Sequence, residues 1–193
     1  MRQLTLFTAV LAGVLALATF STPDAPAGEQ RSGTARDVRK TAALQPGDDF
    51  LLKAIDAKRR EVWHWQRLMQ KPRTPSADSA ERSLDPSYRR WVLRLWAKHA
   101  RRVRTRAAKP PRKAAWLCIH RHEGPWNDPH PPYYGGLQMD LTFQRLYGRE
   151  LLRRKGTADR WTPLEQIWVA ERAYRSGRGF YPWPNTARSC GLI

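Results

Sequence analysis

Glu123 is the side chain best placed for acid chemistry in this chain. It closes the apolar run Trp116-Leu117-Cys118-Ile119-His120-Arg121-His122, and Gly124-Pro125-Trp126 follows it. Further on comes the aromatic, glycine-rich stretch Tyr133-Tyr134-Gly135-Gly136-Leu137-Gln138-Met139. This order suits a saccharide cleft: a carboxylic acid gives a proton, aromatic faces hold sugar rings, and glycines let backbone approach the ligand. Breaking a glycosidic bond needs a proton on the leaving oxygen. A carboxyl group supplies it near neutral pH only if apolar surroundings penalise its charged form. Trp116, Trp126, Tyr133 and Tyr134 could form those surroundings. For a second carboxylate the candidates are Asp128 and Asp140, and neither spacing is diagnostic. A lone Glu at a helix end is ordinarily a solvated charge, so the order of the features carries the reading.

His120, His122 and His130 raise a metal alternative. On a helix, His120 and His122 point roughly 200° apart and share no face. Neither His-Glu-x-x-His nor a deaminase-type His-x-Glu with Pro-Cys-x-x-Cys occurs, and no Gly-x-Ser-x-Gly or phosphate loop is present. No metal and no cofactor are expected.

The elements that must position Glu123 are helical. Residues 48–70 carry Leu51, Ile55, Val62, Trp65 and Met69 near a 3.5-residue period, with Asp48 and Asp49 favouring the start. Asp85-Pro86 reads as an N-cap followed by proline at the first helical position. The helix after it, to about residue 106, puts Tyr88, Trp91, Val92, Leu95, Trp96 and His99 on one face and its arginines elsewhere. The two form a helical hairpin. Ala114 to His122 predicts a helix with Glu123 at or just past its end. Asp140 would cap a helix of about 141–154, stopped by Gly156. Thr162-Pro163-Leu164-Glu165 is a capping box opening a helix to about Ser176, where Gly177 can take the C-cap. No segment alternates convincingly as a strand. The expected fold is all-α, or α+β at most.

Residues 1–28 read as an export signal: Arg2, the uncharged run Leu4 to Phe20, then Ala25-Pro26-Ala27. An uncleaved membrane anchor is the alternative. Residues 29–47 read as a flexible linker. Export makes a disulfide the natural state of the two cysteines, Cys118 and Cys190. The net charge is +18. From residue 114 onward there are 11 Lys and Arg against 7 Asp and Glu, so residues 1–113 carry most of the excess, 24 against 10. Such a chain seeks an anionic partner. For an exported protein that means anionic wall polymers or a membrane surface, reached through the basic half, and not nucleic acid. Residues 48–106 form the basic hairpin region, 107–113 a basic proline-containing linker, and 114–193 the C-terminal domain. A monomer is expected.

The C-terminal domain resembles the transglycosylase-like domain of resuscitation-promoting factors, a compact lysozyme-like fold. The matched points are Trp116, Glu123, Trp126, Tyr133 to Gln138, Glu165-Gln166-Ile167, Ala170-Glu171 and Trp183-Pro184. The resemblance implies a secreted, wall-associated peptidoglycan-cleaving enzyme, a lytic transglycosylase or muramidase, with Glu123 as its acid. It implies a glycan cleft lined by Tyr134 and Gln138, with the Glu-Gln-Ile helix behind. We add Trp126, Tyr133, Gly136, Asp140 and Trp183 to the expected glycan contacts. Muramic acid can attack its own anomeric carbon, so one enzymic acid can suffice. The departures are specific. The family's cysteine directly precedes its Glu, whereas Cys118 lies about one helical turn earlier. Cys190 lies further past Trp-Pro than the family's partner cysteine. Phe143 stands where the family has Thr, and Thr142 is one residue off. The competing class is a non-catalytic protein that binds wall or polyanion.

Overall fold

Pro46 starts α1 (Pro46–Leu68) in the computed structural model, which describes residues 46–78, 82–83 and 85–193. The expected export signal, and the expected linker up to residue 45, lie outside the described residues. α2 (Pro86–Ala107) follows, with the Asp85 side chain accepting from the Ser87 amide at 2.8 Å. The two helices pack together, Trp63 meeting Trp96 edge to face at 6.0 Å. Glu61 pairs with Arg104 at 3.0 Å. Residues 71–78 fold back on α1: Gln66 holds Thr74 through its amide N–H to the hydroxyl and its oxygen to the backbone N–H, at 2.7 and 2.9 Å.

The buried stripe of α2 differs from the expected one. Val92, Trp96, Ala100, Val103 and Ala107 are buried, while Trp91 and Leu95 are 51% and 38% exposed. The inward face follows the small residues Ala100 and Ala107, which let α2 lie close to its neighbours. Val92 and Trp96 of the expected face are buried, and the stripe is turned away from Trp91 and Leu95.

The remaining elements are α3 (Lys113–Glu123), β1 (Tyr133–Tyr134), β2 (Met139–Asp140), α4 (Leu141–Tyr147), α5 (Arg149–Lys155), a single 3₁₀ turn (Ala158–Arg160), α6 (Pro163–Ala173) and α7 (Pro184–Ser189). The fold is thus mostly helical. β1 and β2 form one small antiparallel hairpin, with Tyr133 opposite Asp140 and Tyr134 opposite Met139. The single helix expected over 141–154 is broken at Gly148, because Trp161 packs on that turn. A Cβ there would lie 2.5 Å from its ring. α6 ends at Ala173, short of Ser176, in a wider turn (Tyr174–Arg178) with Gly177 at φ 95°.

The helical hairpin and the C-terminal region share one core, and all described residues belong to one compact unit. Trp168 of α6 donates its indole N–H to the Ala107 carbonyl at 2.8 Å. Arg172 donates to the carbonyls of Arg67, Leu68 and Tyr147. The segment read as the linker 107–113 is therefore a packed corner. Ala107 and Pro110 are buried, and Arg112 reaches back to Glu171. A basic, proline-containing composition looks the same in a loose linker and in a corner tied down by side chains from a distant helix.

Glu165 knots three elements. It is the capping-box partner of Thr162, and its carboxylate also meets Lys155 of α5 at 2.7 and 2.8 Å and His64 of α1 at 2.9 Å. Burial alone would raise its pKa. The hydrogen bonds from His64, Lys155 and the Thr162 amide outweigh burial and bring it to about 2. A depressed carboxylate pKa contributes stability that is complete above the unfolded value and is lost as pH falls through the folded one. Acid melts should therefore lose on the order of 2–3 kcal/mol between about pH 4.5 and pH 2 from this group. Glu165→Gln should flatten that limb, and an unchanged acid profile in the variant would refute the assignment.

Candidate active site

α3 delivers Glu123 at its last residue, and it is tied down at its start and at its middle. At its start, the fully buried Glu171 of α6 accepts from the Trp116 indole at 2.8 Å and from the Arg112 amide and guanidinium at 3.0 and 2.8 Å. At its middle, Cys118 is disulfide-bonded to Cys190, with Cα atoms 6.1 Å apart. The expected pairing is therefore present. The Glu123 side chain is half-buried, and its Oε1 accepts the Thr186 hydroxyl of α7 at 2.7 Å.

The loop after Glu123 is organised around His120 and Gln166. Trp126 stacks on His120 with centroids 3.9 Å apart. His120 Nδ1 lies 3.1 Å from the Gly136 carbonyl. The buried Gln166 amide donates to the carbonyls of Trp126 and Ala158 at 2.8 and 2.9 Å. The absence of a Cβ at Gly135 and Gly136 is accounted for by this packing. A Cβ on Gly136 would lie 2.6 Å from His120 Nδ1, and one on Gly135 2.6 Å from Gln166 Oε1. Both glycines admit protein side chains. Gly135 also has φ 72°, which L residues adopt at a cost. Gly135→Ala should therefore destabilise the fold by about 2 kcal/mol or more, read in thermal melts. A melt identical to wild type would disprove the crowding.

Four of the expected contact residues, Tyr133, Gln138, Asp140 and Trp183, line one cavity of about 190 Å³. Thr142 and Phe143 line it as well. Asp140 also caps α4 through the Phe143 amide at 2.6 Å, and the Trp183 indole donates to the Leu137 carbonyl at 2.6 Å. Trp126, Tyr134, Gly136 and Glu123 are not among the residues lining that cavity. Glu123 is linked to its lining only through neighbours. Thr186 lies three residues after Trp183, and a Cβ on Gly124 would lie 3.5 Å from Gln138 Nε2. The expected apolar pocket around the carboxyl is built differently. Trp116 is turned to Glu171 and Trp126 to His120, and the Thr186 hydroxyl meets the acid.

Asp140 lines the cavity itself, and Asp128 joins the arrangement through Gln138. Its Oδ1 meets His130 Nδ1 at 2.5 Å and the His130 amide at 3.1 Å, and its Oδ2 accepts from Gln138 at 2.8 Å. The His130 ring, the His130 amide and the Gln138 amide hold its pKa below the usual carboxylate range. Asp128 is thus kept ionised next to Gly124. Cys118, His122 and Cys190 also converge, with ligand atoms within 4.8 Å of one another. The two sulfurs are spent on each other in the disulfide.

Sequence reasoning missed Thr186, His120, Gln166 and Glu171 as positioning groups. Thr186 carried no local signal. Glu171 and Gln166 did: polar side chains in the apolar run of α6 must find partners when buried. The site and fold together define a mostly helical, disulfide-closed protein with a Glu at a helix end and a small cavity lined by Tyr133, Phe143 and Trp183. No protein-family model, no curated protein and no solved structure matches the chain.

Proposed function

We propose that this is an exported peptidoglycan-cleaving glycosidase, a lytic transglycosylase or muramidase on a lysozyme-like scaffold, with Glu123 as general acid. One observation carries the reading. The Glu123 carboxyl accepts the hydroxyl of Thr186, three residues after the cavity-lining Trp183, and the next residue, Gly124, packs near the cavity-lining Gln138. With Oε1 engaged by the hydroxyl, Oε2 is left to carry the proton. It passes to the glycosidic oxygen as the bond to the anomeric carbon breaks. Either the sugar's own 6-hydroxyl or a water then closes on that carbon and gives its proton back to the Glu123 carboxylate, leaving an anhydro or a reducing end. Asp128, held ionised, offsets the positive charge developing on the ring. Gln138 and the aromatic rings of Tyr133 and Trp183 are suited to sugar hydroxyls and faces. The disulfide supports an oxidising, extracytoplasmic setting. The basic helical half, with Trp91 and Leu95 outward among arginines, holds the enzyme on anionic wall polymer or membrane.

A second reading is a wall-binding protein without turnover. It is favoured by the absence of Glu123 from the cavity lining. The two are separated by incubating the pure full chain with peptidoglycan and analysing the released muropeptides by mass spectrometry. Anhydro or reducing fragments support the enzyme. Sedimentation with walls and no fragments supports the binder.

A further inference from the structure

A second cavity, of about 700 Å³, opens between the helical hairpin and α6, and it shares no lining residue with the cavity at Tyr133 and Trp183. Its size falls in the range of small-molecule sites, about 300–1,000 Å³. Its apolar wall comes from Val62 and Met69, from Val103, and from Trp168, all buried in the fold. Its rim carries Lys71, Arg102, Arg106 and Lys109, all exposed. No Asp or Glu lines it, and among the described residues none of these four cations pairs with a carboxylate.

Cations at the end of a helix can simply complement its dipole, which would account for Arg106 and Lys109 near the end of α2. It does not account for Lys71, which arrives from the segment after α1, or for Arg102, more than a turn inside α2. Four uncompensated positive charges from two segments converge on one apolar-walled cavity. That arrangement repels itself unless an anion is present. Free phosphate would satisfy the rim and leave the apolar wall wet. A neutral lipid would fill the wall and leave the charges unpaired.

We propose that this cavity is a binding site for a single-chain amphiphile with a phosphate head, the head on the Lys71–Arg102–Arg106–Lys109 rim and the chain against Val62, Met69, Val103 and Trp168. The site is independent of Glu123 and of the glycan reading.

The test is calorimetric titration of the full chain with dodecyl phosphate, kept below its micelle concentration. One saturable site is expected, with inorganic phosphate and dodecyltrimethylammonium each weaker by at least about tenfold. Arg102→Glu with Lys109→Glu should lower the affinity at least about tenfold with the melting midpoint unchanged, because both side chains are exposed. Thr105→Trp, which fills the cavity from another exposed lining position, should lower it as well. Equal binding of the cationic amphiphile overturns the proposal, and so does equal binding of inorganic phosphate alone. So does wild-type affinity in both variants. Binding to anionic phospholipid vesicles without binding of the monomer would also overturn it, in favour of a membrane-facing surface.

Discussion

Glu123→Gln is expected to reduce glycan cleavage by about 10²–10⁴, the usual worth of a positioned general acid. An amide has nearly the shape of the carboxyl and cannot donate the proton. Its oxygen can still accept the Thr186 hydroxyl, so the contact between α3 and α7 survives. Folding should be unchanged by circular dichroism, and sedimentation with purified walls should be retained. The loss should therefore appear in turnover rather than in binding. Wild-type-like turnover in the variant would remove Glu123 from the mechanism. Equal inactivity of wild type and variant, with binding intact, would establish the binder.

Removing the disulfide by Cys118→Ala with Cys190→Ala should cost about 4 kcal/mol. The bridge closes a loop with a sequence separation of 72, and cross-linking that length restricts the unfolded chain by about this much. For a protein of this size the thermal midpoint should fall by roughly 10 °C. The bridge also ties the chain's last turn to the helix that carries Glu123, so the positioning of the acid by Thr186 should loosen before global melting. Cleavage should then fall at temperatures where the far-ultraviolet signal is still native. Mass analysis without reductant should show the native protein lighter by two hydrogens than its thiol form. Two freely alkylated thiols in the native protein would refute the bridge.

Several features were legible because their causes are local. Asp85-Pro86 and the Thr162–Glu165 capping box are satisfied within one turn of backbone, so residue type alone marks those helix starts. The end of α3 at Glu123 is marked in the same way, by Gly124-Pro125 after it. Helix 141–154 was misjudged as continuous because its break depends on Trp161, a residue outside the segment. The face of α2 was legible at Val92 and Trp96 and misjudged at Trp91 and Leu95, because the stripe follows Ala100 and Ala107, which other elements cover.

The sequence by itself determined the helical class, the helix starts, the excess of positive charge before residue 114 and the presence of two cysteines in a chain that reads as exported. Each follows from local backbone chemistry or from composition, which no partner has to complete. The tertiary structure alone decided that the basic hairpin and the C-terminal region form one unit. The indole of Trp168 and the guanidinium of Arg172 reach carbonyls some 60 to 105 residues away, and no local pattern announces such bonds. It alone decided that Gly135 and Gly136 make room for Gln166, His120 and Trp126. It alone placed the Thr186 hydroxyl, 63 residues on, against the Glu123 carboxyl. Hydrogen bonds of this separation depend on where whole helices come to rest, and that is fixed by the shared core rather than by the residues that make them.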